Sequence, residues 1–288
     1  MSLISNAPTI IVTRPIAQAQ HLIEQLQTAL TASASELAQQ TKVLALPLLK
    51  IVPKTDYQLQ VEIPAAISQA DLVIFVSPNA IEYGMRLLSA PWHELTPMQI
   101  RVGVMGESSK RALLHHGVEA HIIILPRDAQ QWDSEGLWQA LQEEQQKHNW
   151  DWAERRVIIF KGDGGREWLA DTLIAAGAQL ETFSVYSRMP LERSNPLWQA
   201  IQANSSDKKL WLLTSSEAVR YLGQSDKDQT ALNLQQASAL CPHENIATIA
   251  GEIGFGEVRL CGSGDAALLK ASLQWVEELA ADPAKITR

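Results

Sequence analysis

The stretch Val157–Gly177, VIIFKGDGGREWLADTLIAAG, reads as a strand, a polar turn and a helix in succession. Val157–Phe160 is a short run of β-branched and aromatic residues with no polar alternation, the pattern of a strand covered on both faces in a parallel sheet. After the glycine-rich turn, Leu169, Leu173 and Ala176 recur at spacings of three and four, which gives a helix one apolar face. Gly177 then stands where a left-handed residue ends a helix. The same unit recurs along the chain. Thr9–Val12, Leu72–Val76, Val102–Met105, Ile122–Leu125 and Leu210–Leu213 are further apolar runs, separated by amphipathic stretches such as Leu22, Leu26, Ala29 and Leu30. Strands alternating with helices specify α/β layers, not a β-sandwich or a helix bundle. No short tandem repeat of the solenoid kind is present.

The punctuation agrees. Ser77-Pro78 after Val76 supplies an N-cap hydroxyl and a proline at the first helical position. Gly117 follows Leu113-Leu114-His115-His116 as Gly177 follows its helix. The paired histidines diverge around a helix axis and suit the negative end of its dipole, so no metal is expected there. From Asp128 to Trp152 the chain is polar and Gln-rich. Ser134 is the expected cap of a helix running through Leu137 and Leu141 to Lys147, read as a solvated connector. Gln202–Lys209 and Gly223–Thr230 read as polar surface segments.

A length of 288 residues favours two domains. Hydrophobic residues make up 46% and charged residues 19%, and mean hydropathy is −0.09, a composition that buries a core. The net charge of −8 and pI near 5.4 give no general attraction for nucleic acid. Cys241 and Cys261, with no CxxC, supply neither a disulfide framework nor a zinc site. There is no signal-like start and no apolar run of membrane-spanning length, so a cytoplasmic protein without membrane partners is expected.

Chemistry is expected where strands end. The junctions are Thr13-Arg14-Pro15, Ser77-Pro78-Asn79, Gly106-Glu107-Ser108-Ser109, Lys161-Gly162-Asp163-Gly164-Gly165-Arg166, Thr214-Ser215-Ser216 and His243-Glu244-Asn245. They are small and polar, sit at the carboxyl ends of strands and open helices whose first N–H groups are unpaired. Such turns hold carboxylates or phosphates without a basic surface. The Lys161–Glu167 turn, KGDGGRE, adds two cations to a glycine-rich backbone, but lacks the spacing of a dinucleotide fingerprint or a P-loop. HExxH, GxSxG and dense metal-ligating clusters are absent from the sequence. The nine tryptophans lack periodicity and read mostly as packing residues.

Taken in order, IIVTRP, LALPLLKI at Leu44–Ile51, DLVIFVSPNAIEY at Asp71–Tyr83, RVGVMGESSKRALLHHG at Arg101–Gly117, VIIFKGDGGREWLADTLIAAGAQLETFSVYSR at Val157–Arg188 and LWLLTSSEAV at Leu210–Val219 resemble the uroporphyrinogen-III synthase family. The resemblance implies two flavodoxin-like α/β domains joined by a two-stranded linker, the second inserted into the first. Residues 1–46 and 190–288 would form one domain and 47–189 the other, linker strands included. It also implies a cofactor-free monomer that cyclises the linear tetrapyrrole hydroxymethylbilane to uroporphyrinogen III, with loss of water and inversion of ring D. Carried over by position, Thr13, Arg14, Ser77, Asn79, Ser109, Gly162, Gly165, Arg166, Thr214, Ser215 and Ser216 would bind substrate, and Tyr186 would meet the leaving hydroxyl. Two positions depart from the family pattern. Ser109-Lys110 stands where relatives often have Thr-Ala, and Ile246 replaces a hydroxyl in the His243–Ala247 turn, where Asn245 is expected to cap instead. The rival reading from another class is a non-catalytic ligand-binding or regulatory module on the same scaffold.

Overall fold

The computed structural model describes residues 7–96, 100–128, 131–203, 208–225 and 232–282; parts of both polar segments, 204–207 and 226–230, lie outside them. In chain order the strands are β1 (Thr9–Val12), β2 (Lys42–Ala45), β3 (Leu49–Pro53), β4 (Leu72–Phe75), β5 (Arg101–Val104), β6 (Ile123–Ile124), β7 (Arg156–Gly162), β8 (Gln179–Pro190), β9 (Lys209–Leu212), β10 (Ser238–Cys241) and β11 (Glu257–Leu260). The helices are α1 (Ile16–Thr31), α2 (Glu36–Gln40), α3 (Tyr57–Ile67), α4 (Pro78–Arg86), α5 (Trp92–Leu95), α6 (Glu107–His115), α7 (Ser134–His148), α8 (Trp168–Ala175), α9 (Pro196–Ala203), α10 (Ser216–Ser225), α11 (Glu244–Glu252) and α12 (Asp265–Ala281). The chain divides into two compact units, Met1–Lys50 with Met189–Arg288 and Ile51–Arg188, so the second is interposed in the first. It occupies a slightly narrower span than 47–189.

The first unit holds a sheet in the order β2-β1-β9-β10-β11, with every adjacent pair parallel. Numbered within the unit this is 2-1-3-4-5, the flavodoxin-like order. Alternation along β1 feeds two cores. Ile10 and Val12 pack with Leu22, Leu26 and Leu30 of α1 and Leu268 and Trp275 of α12. Ile11 packs with Trp211, Trp198 of α9, Leu222 of α10 and Ile249 of α11. Both faces are covered, which is why the strands read as unbroken apolar runs. β10 and β11 escape that reading. β10 is buried but opens Ser-Ala, and β11 is an edge strand carrying Glu257 and Arg259, the charged composition that discourages edge pairing.

The second unit holds a sheet in the order β3-β8-β7-β4-β5-β6. Its parallel strands from β4 to β8 take the order 3-2-1-4-5, the other doubly wound arrangement, with β3 beside β8 at one edge. Val73, Phe75, Val102, Ile158 and Phe160 pack on one face with Ile63, Ile67, Ile81 and Leu113. Leu72, Ile74, Val157 and Ile159 pack on the other with Leu137, Leu141, Leu169 and Leu173.

Helix α7 corrects two expectations. Leu137 and Leu141 are fully buried against the sheet, so the helix is a structural layer and not a solvated connector; most of its Gln and Glu residues lie on the outer face, while Gln145 accepts from the buried Trp152 indole N–H at 2.9 Å. Burial of each leucine contributes about 2 kcal/mol. Its cap is Asp133, whose carboxylate accepts from Gly136 N–H at 2.8 Å, and Ser134 is the first helical residue. Gly117 and Gly177 adopt positive φ, +79° and +100°, as the helix-ending positions require. Among the described residues, no helix is long and apolar enough to cross a membrane.

Candidate functional site

In each unit the strand order reverses at one place, and the polar turns cluster there. In an open parallel sheet the crevice outside the carboxyl ends of the two strands at that reversal is the ligand position. In the second unit those strands are β4, followed by Ser77, and β7, followed by the Gly162–Arg166 turn. In the first they are β1, followed by Thr13-Arg14, and β9, followed by Thr214-Ser215-Ser216.

In the second unit Ser77 caps α4, its Oγ accepting from Ala80 N–H at 3.1 Å, with Pro78 at the first helical position and half-buried Asn79 in the first turn. The same Oγ lies 3.2 Å from the Tyr186 hydroxyl. Tyr186 is carried by β8, and β7 lies between β8 and β4. At the usual strand spacing β8 and β4 are roughly 10 Å apart, so the side chain must pass across β7 to reach Ser77. It does so over Gly162, where a Cβ would stand 2.5 Å from Tyr186 Cε2. Glycine is therefore required at 162 to admit the ring. Tyr186 is 3% exposed, tilted against Tyr83 with ring centres 6.0 Å apart, and the Arg188 guanidinium carbon stands 6.0 Å from its ring centre. Ser77, Gly162, Gly165, Arg166 and Tyr186 all line a pocket of about 240 Å³, together with Lys161, Met105 and Arg188.

Gly164 and Gly165 turn the loop with φ of +64° and +97°, conformations that other residues adopt only with strain. The cations flanking this turn are already engaged. Arg166 forms a two-pronged pair with Glu135 and also lies over the Trp168 ring, and Lys161 pairs with Glu167. Neither cation is held open for a ligand, since each already has a carboxylate partner. Asp163, between the two cations, accepts from Lys54 Nζ at 2.6 Å, Ser184 Oγ at 2.6 Å and Ser187 Oγ at 2.5 Å. The hydrogen bond from Lys54, with those from the two serines, holds its carboxyl well below the usual carboxylate range. Nothing in the sequence spacing distinguishes Asp163 from an ordinary turn aspartate.

Ser109 is separate from the other second-unit residues. It is buried in the first turn of α6 and does not line that pocket, and neither does Asn79 in the first turn of α4. The N-cap of α6 is Gly106, and the half-exposed Trp132 ring lies against it, 3.2 Å from where a Cβ would stand.

In the first unit the hydroxyl of buried Thr13 donates to the Leu212 carbonyl at 2.6 Å, which pins β1 to β9 and leaves the oxygen only its acceptor capacity. Arg14 spans the reversal point. Its Nε donates to Thr214 Oγ1 at 3.3 Å and its Nη1 to Asp265 Oδ1 at 2.5 Å. Ser215 Oγ accepts from Ala218 N–H at 3.3 Å, ahead of α10, which begins at Ser216. At the His243 turn the cap position belongs to His243, which makes no side-chain cap bond and lies 3.3 Å from Ser263 Oγ. Asn245 is inside the helix, so it does not cap as expected.

Comparison with known proteins adds an independent line. Residues 31–261 match the family model described as uroporphyrinogen-III synthase HemD. The uroporphyrinogen-III synthase of Escherichia coli (strain K12) is 26% identical over 273 residues, which span 92% of this chain and all of that one. That of Salmonella typhimurium is 25% identical over 267 residues, again 92% of this chain and all of that one. Among solved structures, the Helicobacter pylori uroporphyrinogen-III synthetase superposes with a TM-score of 0.56 at 12% identity, covering 93% of this chain and 99% of that one. A mutant Thermus thermophilus uroporphyrinogen III synthase does so with 0.54 at 13% identity, covering 94% and 99%. These two likenesses show the fold.

Proposed function

The chain belongs to the uroporphyrinogen-III synthase family, and from that premise we propose that it is a cyclising hydro-lyase acting on hydroxymethylbilane, with uroporphyrinogen III and water as products. The hydroxymethyl C–O bond breaks, its oxygen leaves with an added proton as water, the pyrrole N–H gives up a proton, and the electron-poor azafulvene remains. The terminal pyrrole attacks through its substituted carbon to form a spiro intermediate, which fragments and recloses at the free carbon with that ring inverted, the free carbon losing its proton as the bond forms. Direct closure at the free carbon gives the uninverted isomer, so the main demand on the protein is to place the correct carbon against the electrophile.

The observation that carries the reading is the Tyr186 hydroxyl, hydrogen-bonded to Ser77 at a 240 Å³ pocket beside a helix N-terminus. Ser77 Oγ accepts from Ala80 N–H, and with the Ser77 hydroxyl donating to the Tyr186 oxygen the phenol keeps its own proton for the substrate. Tyr186 is placed to donate to the departing oxygen as it gains its proton. The substrate's carboxylates suit the unpaired N–H groups at the starts of α4, with Ser77 and Asn79, of α6, with Ser109, and of α10, with Thr214, Ser215 and Ser216. The Gly162–Gly165 backbone and Arg166 offer a further site, as does Arg14 beside Thr13. None of these steps draws on a cofactor, and the protein acts as a cytoplasmic monomer.

The test is the isomer ratio. Purified protein given freshly made hydroxymethylbilane yields type III product without added metal or cofactor. Type I product alone, formed at the spontaneous rate, overturns the reading in favour of a ligand-binding module.

A further inference from the structure

Pairing between β7 and β8 slips at the site. Phe160 faces Phe183 and Lys161 faces Ser184, but Gly162 faces Tyr186, so Val185 is an extra residue in β8. In an even strand, Val185 and Tyr186 would point to opposite faces of the sheet. Because of the bulge both are buried in one core with Phe183, and this is what sends Tyr186 across Gly162 toward Ser77. The groups holding the bulge converge on Asp163. Its carboxylate accepts from Ser184 and Ser187, one on each side of the extra residue, and from Lys54 Nζ. Its N–H donates to the Tyr186 carbonyl at 2.9 Å, and its own carbonyl accepts from Arg188 Nη2 at 3.3 Å. Lys54 closes the other edge, its N–H donating to the carbonyl of Val185 at 3.0 Å.

We propose that Asp163 is the positioning residue of the site: its carboxylate clamps Ser184, Ser187 and Lys54 around the Val185 bulge and thereby sets the direction of the Tyr186 hydroxyl. An isolated exposed ion pair contributes little, but three donors on one carboxylate fix a local register. No neutral side chain of the same size accepts all three, since an amide presents donors where Asp163 presents an acceptor. The role rests on the reading of Tyr186 as the hydroxyl that meets the substrate.

The experiment uses the full chain with tyrosine labelled with ¹³C at Cζ, the Tyr186 resonance being the one lost in Tyr186→Phe. In Asp163→Ala that resonance shifts. Turnover to type III product falls about 10- to 100-fold in kcat with KM within about twofold, the signature of a misplaced group. Asp163→Ala combined with Tyr186→Phe is no slower than Tyr186→Phe alone. Ser184→Ala with Ser187→Ala, which leaves Asp163 and Lys54 in place, shifts the same resonance. An unmoved Tyr186 resonance in both variants overturns the proposal, as does a kcat loss that adds in full to that of Tyr186→Phe. If wild-type protein makes no type III isomer, the function proposed above fails, and the resonance still decides whether Asp163 places Tyr186.

Discussion

The Tyr186 hydroxyl meets Ser77 Oγ at 3.2 Å across an intervening strand, and the gap in that strand is Gly162. Tyr186→Phe keeps the ring, its packing and the bulge, and removes only the hydroxyl. We expect kcat for type III product to fall about 100-fold or more, as for loss of a proton donor, with melting temperature nearly unchanged. Ser77→Ala separates from it because Ser77 also caps α4. It should lower stability by about 1 kcal/mol in urea denaturation as well as lowering turnover. An unchanged rate in Tyr186→Phe would make Tyr186 a packing residue.

Gly162→Ala tests the crossing itself. The added methyl would stand 2.5 Å from Tyr186 Cε2, so either the ring swings away or β7 shifts. Overpacking of this kind destabilises by about 1–3 kcal/mol. Turnover should fall as far as in Tyr186→Phe, although the hydroxyl is still present. Full activity in a folded Gly162→Ala protein would show that the path of the ring over β7 is dispensable.

The depressed pKa of Asp163 has a defined stability signature. A carboxyl held below its unfolded value stabilises the native state above that value, about pH 3.9, and the contribution disappears as pH falls through the lower, folded value. The difference in unfolding free energy between wild type and Asp163→Asn should be constant from pH 8 to about 5 and shrink below that. Glu82 and Glu192, also lowered, are common to both proteins and cancel. A difference that grows with acidification would mean that Asp163 is not held ionised by Lys54, Ser184 and Ser187.

Much of the fold was legible because burial on both faces leaves a direct mark on composition. Ile10, Ile11 and Val12 must all be apolar when α1 lies on one side of the strand and α10 on the other. β11 left no such mark because half of it faces water at an edge. Helix α7 misled for a related reason. Its apolar stripe is narrow, and Leu137 and Leu141 are outnumbered by glutamines and glutamates that face solvent. Asp133 and Ser134 are both good caps, and only the chain path selects between them. The strand-end turns were legible as polar punctuation, but not their partners. Arg166 and Lys161 look like free cations in a glycine-rich loop until Glu135 and Glu167 are seen beside them. The Val185 bulge has no sequence signature, since Val185-Tyr186 reads equally well as even strand.

The thiols offer a test of the first unit's core. Cys241 is fully buried, and burial, with Cys261 nearby adding charge repulsion, pushes its pKa up to about 12. Only the thiolate reacts, so at pH 8 about one molecule in ten thousand is competent at this position. Burial also raises the pKa of half-exposed Cys261. Iodoacetamide at pH 8 should modify Cys261 slowly and Cys241 only on unfolding, as read by mass spectrometry of peptides. Rapid native-state labelling of Cys241 would mean that β10 opens far more readily than its packing allows.

Arg14 is the cation placed at the reversal point of the first sheet, and Asp265 already occupies it. Asp265 is the first residue of α12, where the helix dipole also favours its charge, so the pair is held from both sides. If a substrate carboxylate takes the guanidinium, it competes with Asp265. Arg14→Ala should then raise KM several-fold with kcat nearly unchanged, the mark of lost uniform binding. Asp265→Asn should do the reverse and lower KM, because the guanidinium is released. Both effects should weaken as sodium chloride is raised and these half-exposed charges are screened. If both substitutions raise KM alike, the pair serves to join β1 to α12 and Arg14 does not bind substrate.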